Sequence, residues 1–304
     1  MRLPHPLIDR HTLEKLERLS LRWQGSFTGM FGGHNPSRQP GPGQEFLDHR
    51  QFHQGDDLRS VNWLAYMRLE RLFLKMFRVE PRVPVRIFLD TSESMACGWS
   101  QGRGEPKFVY ACRLAAMLCY VGLVRLDTIE LQPFGERLAE SYKAQGGRHR
   151  FAPALHFLAG LETGGRSSFQ AVVRQFLSSK PALGLILMVS DFLDEQPGGC
   201  ERALEQLADF GHEVMLVHVA GPDDASPPWR SEVELVDAET GEVRWMELDQ
   251  SAADHYISAY GEFCEGLERT AARHGGRYVA LTTDSPVEEA IFGPLVETGR
   301  IGLR

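Results

Sequence analysis

The sequence predicts an α/β fold built on a doubly wound, mainly parallel sheet with helices on both faces. Three observations carry that expectation. Short apolar runs, Val83 to Leu89 and Leu185 to Ser190 among them, lack the polar alternation of a half-solvated strand and so belong to strands buried on both faces. From Val83 onward such runs alternate with segments of helical period, the pattern of parallel strands joined by crossover helices. The 304 residues, 42% hydrophobic and 24% charged, provide an ample core for a soluble chain, as one large domain with an extension or as two domains.

In chain order, residues 9–23 read as a first helix, with Leu13, Leu16, Leu19 and Trp23 at helical spacing. Gly29 to Gly43 is too rich in Gly and Pro for regular structure. Glu45 to Phe52 reads as extended. Gly55-Asp56-Asp57 then forms a turn, with Asp56 or Asp57 placed to cap a short helix through Trp63. Leu72 to Val79 alternates as a strand does. In the body, strands are expected near 83–89, 128–134, 184–190, 213–219 and 277–282, with a weak edge strand near 137–142. Helices are expected near 107–124, 151–160, 168–178, 200–210, 252–273 and 286–297. Glu232 to Asp237 and Val243 to Leu248, joined through Glu239-Thr240-Gly241, read as a β-hairpin inserted near 232–248. The expected division is an N-terminal extension over 1–80 and a main domain over 81–304.

The net charge of -8 argues against a general nucleic-acid binder, since phosphate binding requires a basic face. Residues 1–80 carry 12 Lys and Arg against 9 Asp and Glu, and the remainder 21 against 32, so a mildly basic extension precedes an acidic body. The first residues carry no apolar stretch of signal-peptide type. The apolar run Leu114 to Val124 is shorter than the roughly 20 residues a membrane span needs, so it reads as a buried helix and no membrane span is expected. Five cysteines, never spaced C-x-x-C, point to free thiols and a cytoplasmic location. Cys112 and Cys119 read as small core residues of one helix.

The chemistry is concentrated at two strand ends. Asp90-Thr91-Ser92-Glu93-Ser94 follows the first apolar run, and Asp191 ends the second. A carboxylate and two hydroxyls at alternate positions offer the hard oxygen ligands that Mg2+ takes, with Mn2+ and Ca2+ as alternatives. Ligands of open parallel sheets bind at strand carboxyl ends where the strand order reverses, so neighbouring strands there would bring Asp90, Ser92, Ser94 and Asp191 together. Against this stands an ordinary strand-to-helix turn with capping hydroxyls. His49 and His53 are four apart in an extended segment, where that spacing does not converge on a metal.

Asp90-Thr91-Ser92-Glu93-Ser94-Met95 resembles the first motif of von Willebrand factor A domains, and Leu187-Met188-Val189-Ser190-Asp191-Phe192 the third. The resemblance implies a von Willebrand factor A-like fold with a metal-ion-dependent adhesion site. It also implies that Ser167 in Gly164-Gly165-Arg166-Ser167-Ser168-Phe169 stands for the usual threonine, with the choice between Ser167 and Ser168 open and an N-cap role the alternative. Asp194 either supports the site from outside or is a solvated loop carboxylate.

Glu45-Phe46-Leu47-Asp48-His49-Arg50-Gln51-Phe52, Gly55-Asp56-Asp57-Leu58-Arg59-Ser60-Val61-Asn62-Trp63 and Lys75-Met76-Phe77-Arg78-Val79-Glu80 resemble the hallmark of a bacterial family, domain of unknown function 58. Asn62 replaces a common Asp there. That likeness implies a non-enzymatic adaptor working with a MoxR-type AAA+ ATPase, whose cation accepts an Asp or Glu of the ATPase or of a client protein. Arg50, Asp56, Asp57, Arg59 and Trp63 form either a partner surface or, as the expected reading, a structural ion pair with Trp63 in the core. The alternative function is a metal-assisted hydrolase or phosphotransferase with Asp90 as nucleophile. It is weakened because Ser92 stands where a D-x-D pattern needs its second acid. The nucleophile-elbow, P-loop and dinucleotide fingerprints are all missing.

Overall fold

A computed structural model describes residues 8–21, 45–53, 61–78, 84–97, 104–125, 127–194, 196, 198–225, 227, 231–299 and 301–303. The chain divides into two compact units, Met1–Gln24 with Val83–Arg304, and Gly25–Arg82. The first residues therefore group with the main body rather than with the extension expected over 1–80.

Helix α1 (Arg10–Leu16) is capped by Asp9, whose carboxylate accepts the Thr12 amide at 2.8 Å. It is shorter than the helix expected over 9–23, because strand β1 (Leu19–Leu21) follows and pairs antiparallel with the last strand. Trp23 lies outside the described residues.

The smaller unit holds strand β2 (Glu45–Gln51), helix α2 (Trp63–Leu69) and strand β3 (Phe73–Arg78), with β2 and β3 antiparallel. Helix α2 starts at Trp63 instead of ending there. Its cap is Asn62, whose side chain accepts the Ala65 amide at 3.3 Å, while Asp56 and Asp57, the expected caps, lie outside the described residues. Trp63 is 56% exposed, which corrects its expected place in the core.

In the main unit the order is β4 (Val85–Asp90), α3 (Lys107–Val124), β5 (Thr128–Phe134), β6 (Tyr142–Gln145), α4 (Phe151–Ala159), α5 (Phe169–Ser178) and β7 (Leu185–Ser190). There follow α6 (Gly199–Asp209), β8 (Glu213–Ala220), α7 (Pro222–Ala225), β9 (Ser231–Val236), β10 (Val243–Leu248), α8 (Gln250–Arg273), β11 (Arg277–Thr282), α9 (Val287–Ala290) and β12 (Ile301–Leu303). The central sheet runs β6-β5-β4-β7-β8-β11, parallel throughout except for the antiparallel edge strand β6. The edge strand lies at 142–145 and not at 137–142. Only a single bridge, Phe134 to Leu138, forms in the earlier segment.

Side chains alternate across this sheet, so Val85, Ile87 and Leu89 join a core under α3 while Phe88, Ile186 and Met188 join one with α5 and α6. Helix α3 is buried along nearly its whole length, Cys112 and Cys119 included. Among the described residues it is the one helix long and apolar enough to cross a membrane, and 89% of that window is buried inside the protein. The hairpin of β9 and β10 pairs in the expected register, Val236 opposite Val243. Chain order reverses between β4 and β7, which are direct neighbours, so the ends carrying Asp90 and Asp191 lie side by side.

Candidate metal centre

Asp90 is the last residue of β4 and is wholly buried. Its Oδ1 accepts the Ser92 amide at 2.9 Å, and its Oδ2 accepts the hydroxyl of Ser190 at the end of β7. A single 3-10 turn, Glu93–Ala96, then folds Ser94 back, so that the Ser92 and Ser94 hydroxyls lie 3.0 Å apart, both buried. Thr91 stays out of this group, its Oγ1 donating to the Phe134 carbonyl at 2.8 Å. The Glu93 amide donates to the Gly165 carbonyl and the Gly164 amide to the Thr91 carbonyl, each at 2.9 Å, which ties the Ser167 loop to the Asp90 loop.

Asp191 follows Ser190, and the next residue, Phe192, adopts a left-handed φ of 57°. That conformation costs a non-glycine residue about 1–2 kcal/mol. It is held by the Phe192 amide donating to Ser190 Oγ at 2.8 Å and by the ring stacking on Phe169. Asp191 Oδ1 accepts the Leu193 amide at 3.3 Å, while Oδ2 takes the Lys107 ammonium at 2.7 Å. Lys107, buried at the start of α3, also reaches Asp224 of α7 at 3.5 Å. Burial works against its charge, but Asp191 and Asp224 together hold the ammonium pKa above the usual lysine value.

Ser167 is 2% exposed and donates its hydroxyl to the Leu193 carbonyl at 2.9 Å. Ser168 takes the N-cap position of α5 without a side-chain cap bond. Asp194 accepts the Gln196 amide on Oδ1 at 3.0 Å, and its Oδ2 is buried without a hydrogen-bond partner.

A further carboxylate enters from the hairpin. Burial, then Asp90 and Asp191, push the Glu239 pKa up to about 7. Its Oε1 is buried with no hydrogen-bond partner. Asp90 is likewise raised to about 7, by burial first and then by Asp191. Lys107 and Glu239 are not legible as site residues in the sequence, since each arrives from a distant element with no motif of its own, whereas Ser190 stands inside the motif around Asp191.

Asp90, Ser92, Ser94, Ser167 and Asp191 therefore share one end of the sheet. Arg50 lies in β2, where its side chain is not described, and Asp57 and Arg59 lie outside the described residues. Among the described residues, no three His, Cys, Asp or Glu side chains could hold an ion by themselves, so a cation here must use the serine hydroxyls. The donor set suits one. Adjacent ligands of octahedral Mg2+ lie about 2.9 Å apart for bonds near 2.05 Å, close to the Ser92–Ser94 separation. The buried Glu239 oxygen, without a hydrogen-bond partner and in the same cavity lining as Ser94, is a further acceptor. Beside these groups a cavity of about 460 Å³ opens between the hairpin turn, Phe192 and Phe263.

The family described as "Protein of unknown function DUF58" matches residues 48–262. An uncharacterized protein of Mycobacterium tuberculosis is 23% identical over 269 residues, 88% of this chain and 84% of that protein. An aerotolerance-related membrane protein from Bacteroides fragilis is similar with a TM-score of 0.42 and 19% identity, over 71% of this chain and 99% of that one. The VWA domain of SpRpn10 is similar with a TM-score of 0.38 and 12% identity, over 69% of this chain and 93% of that one.

Proposed function

The chain belongs to the DUF58 family, and on that premise we propose that it is a non-enzymatic, metal-dependent protein-interaction module. Asp90, Ser92 and Ser94 hold a divalent cation, Mg2+ in the cell, with Ser167 and Asp191 completing or orienting its surroundings. The bound ion supplies an electrophilic position that an Asp or Glu of another protein fills. The partner is a MoxR-type AAA+ ATPase or its client, and the module works in the cytoplasm, in keeping with five unpaired thiols.

The observation that carries this reading is the pair of hydroxyls 3.0 Å apart beside a carboxylate whose own oxygens are fixed by Ser92 and Ser190. Lys107 strengthens it. By neutralising Asp191 it keeps the anionic charge around the ion low, which leaves the ion attractive to a partner's carboxylate. The same geometry disfavours Asp90 as a nucleophile, because both its oxygens are engaged and the residue has no exposed surface.

Mn2+ titrated into the purified chain tests the site by electron paramagnetic resonance. Wild type should bind, and Asp90→Asn or the pair Ser92→Ala with Ser94→Ala should weaken binding by more than roughly tenfold with an unchanged circular dichroism spectrum. Capture of the ATPase should disappear with chelator and with Asp90→Asn. Capture that survives both would overturn the adaptor reading.

A further inference from the structure

We propose that Glu239 is a carboxylate ligand supplied by the chain's own hairpin, seated where a partner's acid would bind, so that partner capture requires the Asp237–Gly241 turn to withdraw. The inference rests on the metal-dependent reading above and adds its regulation.

Three observations support it. First, Glu239 sits at a hairpin turn whose neighbours Ala238 and Thr240 are exposed, so its side chain had solvent available. It instead points inward, burying Oε1 without a hydrogen-bond partner and lining the same cavity as Ser94. A buried carboxylate oxygen lacking any donor is costly unless a cation completes it.

Second, Asp90 and Asp191 are the charges that act on it there. Buried carboxylates that act on one another raise the cost of their charges, and a divalent ion removes that cost. Lys107 does not fill the gap, because its ammonium is committed to Asp191 and Asp224.

Third, the turn is built to hold this pose. The Asp237 carboxylate accepts the amides of Glu239 and Thr240 at 2.9 and 2.8 Å, and the Gly241 amide donates to the Asp237 carbonyl at 2.8 Å. Gly241 closes the turn with a φ of +71°. A side chain on such a turn is presented with little loss of freedom, which favours the internal ligand over a free one. The inserted hairpin is in effect a tethered competitor, and release opens the coordination position together with the adjoining cavity.

Mn2+ is the probe. Its affinity is measured by paramagnetic resonance for wild type, Glu239→Gln, Glu239→Ala and Asp90→Asn, with acetate titrated as a free carboxylate and hydrogen exchange followed at the turn amides. The expected result is a five- to fiftyfold weaker Mn2+ affinity in both Glu239 variants. Acetate should bind the Mn2+-loaded Glu239→Ala protein but not the loaded wild type. Mn2+ should slow exchange at residues 238–242 in wild type only. Unchanged affinity in both Glu239 variants, with binding still lost in Asp90→Asn, would overturn the internal ligand and leave the metal site standing. Wild-type Mn2+ binding by Asp90→Asn would remove the site and this inference together. The turn is at the surface and Glu239→Gln keeps the side-chain shape, so folding is not at stake.

Discussion

Lys107 sets the charge balance of the centre. It is 3% exposed and its ammonium lies 2.7 Å from Asp191, so neither charge has water to fall back on. Removing one partner of such a pair costs about 3–5 kcal/mol, because the survivor stays buried and unpaired. Lys107→Met should therefore lower unfolding free energy in chelator by roughly 3 kcal/mol, and Asp191→Asn in the same background should recover part of that loss. Urea denaturation of the four proteins in this cycle measures the coupling. An equal cost of Lys107→Met with and without Asp191 would show that the pair is not coupled. The aspartates and the alternating serines are legible in the sequence because each strand end carries its donors within a few residues of an apolar run. Lys107 is not, since it meets Asp191 across 84 positions and reads locally as no more than the start of a helix. Glu239 is hidden in the same way, as one of three residues in an ordinary turn.

Elements were legible where the local pattern and the tertiary structure agree. Lys107–Val124, Thr128–Phe134 and Arg277–Thr282 match their expected limits, since apolar period alone sets them. The failures have tertiary or steric causes. The first helix stops at Leu16 because Leu19–Leu21 finds its partner in Ile301–Leu303, a pairing that no local window contains. The helix expected over 286–297 loses its regular turn at Ile291–Leu295, a π-helical stretch enclosing Pro294, which lacks an amide hydrogen and crowds the preceding turn. At the junction of α8 and β11 the constraint is a glycine. A Cβ on Gly276 would lie 2.6 Å from the Val214 carbonyl oxygen and 3.2 Å from that of Ala271, both backbone atoms. Gly276→Ala should destabilise by about 1–3 kcal/mol, seen as a lower urea midpoint with an unchanged slope. A midpoint equal to wild type would mean that the two elements shift apart freely.

At the scale of the whole molecule, the two ends of the central sheet carry different chemistry. The carboxyl end gathers acids and hydroxyls, whereas the amino end is fixed by buried groups that link the fold to pH. Arg86 of β4 pairs with Glu130 of β5 at 3.2 Å and lies over the Phe176 ring of α5. His212, just before β8, packs on the same ring and has a buried Nδ1 without a hydrogen-bond partner. Burial, and then the Arg86 charge, hold its pKa down to about 4 against 6.5 for a free ring. The unfolded chain therefore binds a proton through this window that the folded chain refuses. The stability His212 contributes is complete above pH 6.5 and is lost as pH falls toward 4. Discounted for its nearness to the surface, the effect is on the order of 2 kcal/mol. The carboxylates at the other end also titrate, so the measurement is the difference between wild type and His212→Gln, in which only this ring changes. Urea unfolding from pH 8 to pH 4 should give a constant gap above pH 6.5 that then shifts in favour of the variant. Two curves that stay parallel to pH 4 would mean that the folded protein accepts the proton as readily as the unfolded chain.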